Sequence, residues 1–114
     1  MTTATVTHLP REVIQRDGIS SPFDARRIHS AIARAGAATG QFDDAEAALL
    51  TAQVNKVLIH RFGGGAPSIE QIQDIVEQTL IAANHVETAR AYMSYRQRHA
   101  TLRADRQTLV DVET

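Results

Sequence analysis

Apolar residues first appear in short runs and then settle into a helical spacing, and that change organises the chain. Glu12-Val13-Ile14-Gln15-Arg16 and Ile19-Ser20-Ser21-Pro22-Phe23 flank the pair Asp17-Gly18. Asp-Gly between two short runs predicts a β-hairpin with a two-residue turn, both of whose residues take positive φ. Pro22 cannot donate to a ladder, so the second strand is expected to be short or to lie at an edge.

From Asp24 onward the period is that of helices. Asp24 is placed to cap a first helix with a stripe of Ile28, Ala31, Ile32 and Ala35, and Gly36 and Gly40 bracket its end. Phe42-Asp43 opens a second helix, with Asp43 and Glu46 in capping-box spacing and Leu50, Val54, Val57 and Leu58 as its stripe. Gly63-Gly64-Gly65-Ala66-Pro67 stops it, since consecutive glycines make a costly helix. Ser68 and Gln71 form another capping box, ahead of Ile69, Ile72, Val76 and Leu80. Asn84 and Glu87 repeat the spacing before a fourth helix that turns Ala89, Tyr92 and Met93 inward. The fold class that follows is mainly α (α+β): a four-helix bundle capped by a small N-terminal β-hairpin, which is too small to stand alone and is expected to lie across the end of the bundle.

Composition narrows the picture. The chain has 114 residues, room for one domain with a modest core, and only 4% aromatics, so that core must be aliphatic. The absence of cysteine excludes a disulfide framework, a thiolate zinc site and a cysteine nucleophile. A formal net charge of −1 gives no general attraction to nucleic acid or an anionic membrane. No apolar run nears the ~20 residues of a membrane span, and Met1 to His8 lacks the pattern of a signal peptide, so a cytoplasmic location is expected. Residues 1–10, Thr-rich and without period, read as a flexible lead-in. Residues 100–114 lose the stripe and stop without a capping glycine or proline, as a linker into a longer protein would.

Candidate chemistry is concentrated at the hairpin. Arg16, Arg26 and Arg27 are close in sequence, and guanidinium forks match phosphate oxygens in geometry as well as charge. Read by composition alone, solvated arginines on an edge hairpin and a helix's first turn fit the same residues better. The five histidines, His8, His29, His60, His85 and His99, have no metal-ligand spacing, so no metal held by protein ligands is expected. Gly63-Gly64-Gly65 lacks the lysine and the preceding strand of a P-loop. Asp43, Asp44 and Glu46 read as helix-start charges.

Three stretches together resemble the ATP-cone family. Val13-Ile14-Gln15-Arg16-Asp17-Gly18 with Pro22-Phe23-Asp24 and Arg26-Arg27-Ile28 is similar to the opening of such cones. Pro67-Ser68-Ile69-Glu70-Gln71-Ile72-Gln73-Asp74-Ile75-Val76-Glu77 resembles the third-helix motif, and Ala89-Arg90-Ala91-Tyr92-Met93-Ser94-Tyr95-Arg96 the closing helix. The resemblance runs from about Glu12 to Arg98. Tyr95 to His99 with Ala104 to Val110 looks like the bridge to the catalytic body in anaerobic, glycyl-radical ribonucleotide reductases.

The resemblance implies a regulatory domain over residues 11–99 that binds ATP or dATP, with Mg²⁺, beneath the hairpin and so switches the activity of a ribonucleotide reductase through its oligomeric state or dynamics. It implies that the domain is not itself an enzyme, that its parent is an anaerobic ribonucleoside-triphosphate reductase, and that its partners are adenine nucleotides, the catalytic body and other cones. Carried over by position, Val13 and the hairpin backbone at Asp17 and Gly18 touch the base, with Ile28 beneath it. Arg16 and Arg27 face phosphates, Gln73 supplies a polar contact, and Arg98 reaches the triphosphate from the fourth helix. Two positions depart from the pattern: Gln15 stands where many cones have lysine, and Ser21 where some have glutamate. Other classes compatible with the sequence are a nucleotide-responsive repressor of reductase genes, which would need a cysteine-rich zinc ribbon that this chain lacks, and a ligand-free helical interaction module.

Overall fold

The computed structural model describes residues 8–98. Most of the expected lead-in (residues 1–7), His99 and the expected linker 100–114 lie outside them. Strands β1 (Glu12–Ile14) and β2 (Ser20–Pro22) form an antiparallel pair in which Val13 faces Ser21. Helices α1 (Ala25–Thr39), α2 (Asp44–Phe62) and α3 (Ile69–Ala82) follow, and α4 is helical from residue 86 to 98. The expected hairpin and four helices are present.

The turn differs in type. The Gln15 amide donates to the Ile19 carbonyl and the Gly18 amide to the Gln15 carbonyl, each at 2.9 Å. The loop is therefore Arg16-Asp17-Gly18, three residues long, and only Gly18 takes positive φ, at 84°. The Asp17 carboxylate accepts the Ile19 amide at 3.0 Å, which holds Asp17 in an ordinary conformation and leaves the left-handed step to glycine.

A three-residue ladder cannot hold itself, and the triglycine loop supplies what it lacks. Arg11 donates to the Gly65 carbonyl at 3.0 Å and Ile14 to the Pro67 carbonyl at 2.9 Å, so β1 is flanked by β2 on one edge and by the α2–α3 loop on the other. Gly64 turns that loop with φ 73°. The Gly64 amide points back to the Leu9 carbonyl at 3.4 Å, and Pro10 is buried, so packing extends into the last residues of the lead-in.

The core is aliphatic. Ile32, Leu50, Val54, Leu58, Val76 and Leu80 are almost fully buried, joined by Ile28, Ile72, Ile75, Ala89 and Tyr92, and by Val13 from the hairpin. These are the sequence-derived stripes with Val13, Ala47 and Ile75 added; Ala31, Ala35, Val57, Ile69 and Met93 pack at the margin. Asp24, Asp43 and Ser68 cap their helices as expected, and Ser68 with Gln71 completes both halves of a capping box. Glu46 does not return to its own helix start. Its carboxylate lies 3.1 Å from His85 Nε2 and ties α2 to the beginning of α4.

The start of α4 departs most from expectation. Asn84 ends α3 rather than capping α4: it takes φ 66°, its amide reaches the Ile81 carbonyl and that of His85 reaches the Leu80 carbonyl, the pattern of a Schellman cap. The cap of α4 comes from elsewhere. Gln41, in the α1–α2 loop, accepts the Thr88 amide at 2.8 Å and its hydroxyl at 2.7 Å, and Thr88 Oγ1 also meets Thr39 Oγ1 at 2.8 Å. Thr88 is completely buried, so these bonds satisfy groups that water cannot reach. Gln41→Ala strands the buried Thr88 amide, leaves its hydroxyl only Thr39 Oγ1, and is expected to cost about 1–3 kcal/mol in urea denaturation, although Gln41 itself is exposed. The exposed Gln53→Ala on α2 should stay within about 0.5 kcal/mol of the parent. Equal midpoints for the two variants would contradict this account of the α4 cap.

Candidate functional site

Between the hairpin and the helices lies a cleft of about 200 Å³. Val13, Ile28 and Ile72, all buried, form its apolar floor, with Pro22, Phe23 and Ile69 around them. Gln15, Arg16, Asp24, Arg27, Gln73, Tyr95 and Arg96 supply its polar rim. An apolar base beside a few convergent polar groups is the usual form of a small-molecule site.

The fold decides which arginines reach this rim. Arg16 opens the three-residue turn and extends across to α3, donating from Nη1 to Glu70 Oε2 at 2.6 Å and from Nη2 to Gln73 Oε1 at 3.1 Å. Arg27, in the first turn of α1, has no side-chain hydrogen bond or ion pair among the described residues. Arg26 is outside the cleft and forks onto Asp24 with two bonds of 3.1 Å. Those bonds, with the Arg26 amide, hold the Asp24 carboxyl below its ordinary value. Because Asp24 already takes the amides of Arg26 and Arg27, an anion here would rest on guanidinium groups more than on the helix terminus.

The nine residues singled out from the sequence divide accordingly. Val13, Gln15, Arg16, Arg27, Ile28 and Gln73 line the one cleft. Asp17 and Gly18 form the turn above it and are not among its lining residues. Arg98 borders a separate depression between α1 and α4, with Arg34, Tyr92 and four alanines. Arg96, two residues earlier and so about 200° around the helix, is the α4 cation at the cleft. It was legible inside the closing-helix motif, but a position carried over by spacing does not fix which face a residue takes. Arg96 bonds Asp74 at 3.0 Å and also Glu77. Burial weakens its charge, yet these two carboxylates more than offset that and raise its pKa.

Gln15 Nε2 donates to Ser21 Oγ at 2.8 Å, so the two residues that depart from the cone pattern are partners across the hairpin. A neutral pair thus stands at the edge of the cleft, and the cations there are arginines alone. Among the described residues, no group of three or more His, Cys, Asp or Glu side chains could hold a metal ion, and no helix is long and apolar enough to cross a membrane.

Residues 11–101 match the ATP cone domain. The chain belongs to the ATP-cone family. The match encloses the hairpin, every residue lining the cleft and all of the described part of α4. This cone is 39% identical over 94 residues to the vitamin B12-dependent ribonucleoside-diphosphate reductase of Mycobacterium tuberculosis, covering 82% of the chain and 13% of that protein. It is 38% identical over 84 residues to the anaerobic ribonucleoside-triphosphate reductase of Haemophilus influenzae, covering 74% of the chain and 12% of that protein. The ribonucleoside-diphosphate reductase subunit alpha of Chlamydia pneumoniae is 33% identical over 101 residues, 82% of the chain and 10% of the relative. The cone therefore spans little more than a tenth of these relatives, and it is about equally similar to the B12-dependent and the anaerobic enzyme. Cones of this family are nucleotide-binding regulatory domains of reductases.

One core residue beside the cleft carries a pH signature. Burial pushes the Tyr92 phenol above its ordinary value of 10.0, outweighing the opposing pull of Arg96. A group whose pKa is raised by folding contributes stability that is complete below its unfolded value and is lost as pH rises beyond it. Thermal midpoints should therefore hold up to about pH 10 and fall above it. Tyr92→Phe removes the titrating proton and should flatten that fall. An identical alkaline decline in parent and variant would contradict the assignment.

Proposed function

We propose that this domain binds ATP and dATP in the cleft beneath the hairpin, and that occupancy regulates a ribonucleotide reductase of which the cone is one part. The observation that carries the reading is the cleft's composition: an apolar floor of Val13, Ile28 and Ile72 lies next to the Arg16 and Arg27 guanidinium groups, inside the stretch that matches the family. A purine fits the floor between the hairpin backbone and Ile28. The triphosphate, with its Mg²⁺ bound through phosphate oxygens, meets Arg16 and Arg27, and Gln73, bonded to Arg16, adds a hydrogen-bonding group. Gln15 and Ser21 offer the base neutral polar groups in place of charges. The domain catalyses nothing on its own; the reaction belongs to the cytoplasmic catalytic body.

Regulation follows from differential affinity. A ligand shifts an equilibrium only as far as it binds one state better than another. ATP and dATP differ by a single hydroxyl, so the contrast between them is amplified where the cone meets the catalytic body or a second cone.

Calorimetry with ATP and dATP in the presence of Mg²⁺ tests the reading. Losing one desolvated charge contact typically costs about 2–5 kcal/mol, roughly 30-fold or more in affinity. Arg16→Ala and Arg27→Ala are each expected to weaken ATP by that order while leaving the melting temperature near the parent's. Arg98→Ala, outside the cleft, should change little. Parent-like binding by both hairpin-side variants would move the site elsewhere, and an effect of Arg98→Ala as large as theirs would bring the α4 terminus into it.

A further inference from the structure

The Arg16 guanidinium already has a partner within the protein, and that partner is an anion. Glu70 holds Nη1 at 2.6 Å, with the two side chains 29% and 43% exposed, and Gln73 takes Nη2 at 3.1 Å. Glu70 lies in the first turn of α3, where its charge is favoured by the free amides of the helix start. The hairpin is held near this partner, because Ile14 is bonded to Pro67 and bridges to Ser68, two residues ahead of Glu70. Asp74 and Glu77, further along α3, are bound instead to Arg96. Asp24, on the opposite rim, is held by Arg26. Of the acidic groups around the cleft, Glu70 is thus the one whose cation the proposed ligand also needs.

We propose that Glu70 is an internal competitor for the phosphate position and sets the affinity of the cleft for phosphorylated ligands. The inference rests on the nucleotide-binding reading above. A triphosphate reaching Arg16 must displace the Glu70 carboxylate or lie against it, one anion beside another. Either way Glu70 subtracts from binding, and only a ligand with enough phosphate charge to engage Arg27 as well overcomes it. Arg27 exerts only a Coulombic pull on Asp24, with no side-chain hydrogen bond or ion pair among the described residues, and is open to that contact. The contact acts on phosphate alone: a ligand confined to the apolar floor has no reason to disturb it.

The test is calorimetric titration of the parent, Glu70→Gln and Glu70→Ala with ATP and Mg²⁺, and in parallel with adenosine, after thermal melts have established that the variants are folded. Both substitutions should tighten ATP by about fivefold, the upper end of what a half-exposed ion pair is worth, with adenosine unchanged. Using two variants guards against one of them folding poorly. If the parent binds ATP and the folded variants bind it equally or more weakly, Glu70 is a structural strut and the proposal is wrong. A parallel gain for adenosine would overturn it too, since the effect would not then act through phosphate. If neither parent nor variants bind ATP, the nucleotide reading itself fails and the competitor role falls with it.

Discussion

The Ile14 amide donates to the Pro67 carbonyl across 2.9 Å, and the position of the cleft depends on that bond and its neighbours. A ladder of three residues per strand is marginal in water. Here it is set against the α2–α3 loop along its free edge, and Val13 is inserted into the core between the helices. That loop can turn alongside β1 because Gly64 takes the left-handed region, which glycine adopts without a steric penalty. The hairpin thereby becomes the roof over Ile28 and Ile72, and Arg16 is delivered to the first turn of α3.

Charge completes the construction. Beside the cleft, α3 carries Glu70, Asp74 and Glu77 at spacings of four and three, so they share one side of the helix, with Gln73 next to them on the cleft wall. Arg16 from the hairpin meets the first two and Arg96 from α4 meets the last two. Both walls of the cleft are thus tied to one acidic helix, whose carboxylates balance the charges of Arg16 and Arg96. Arg27 alone among the cleft's arginines is without a partner in the described residues. Under the proposed function, a polyanion would meet Arg27 directly and would have to take Arg16 from a carboxylate.

Much of this was legible in the sequence because the signals are local. The stripes of α1 to α3, their capping residues and the breaking effect of Gly63 to Gly65 depend only on spacing along the chain. What was not legible is what the chain brings together from far apart. Gln41 is 47 positions from the amide it caps, and nothing near Thr88 announces it. Asn84 has the right residue type for a helix start, yet the αL conformation it readily adopts serves the end of α3 instead. The hairpin turn failed the simple Asp-Gly rule because the Asp17 carboxylate had a local partner in the Ile19 amide. At the cleft, residue type and order pointed to Arg16, Arg27 and Gln73. The choice between Arg96 and Arg98 needed the rotation of α4, and the engagement of Arg16 by Glu70 needed the fold.

Under the proposed function the hairpin, held by the α2–α3 loop, is the roof of a nucleotide site. Residue-resolved hydrogen–deuterium exchange with and without ATP and Mg²⁺ tests it most directly, because the amides of Arg11, Ile14, Gln15 and Gly18 each report a bond that holds the roof in place. If the cleft is the site, ATP slows exchange at these four amides, while those of Leu50 and Val54, deep in α2, change far less. Slowing confined to residues outside the hairpin and α3, or hairpin amides that exchange equally fast with and without ATP at saturation, would contradict it.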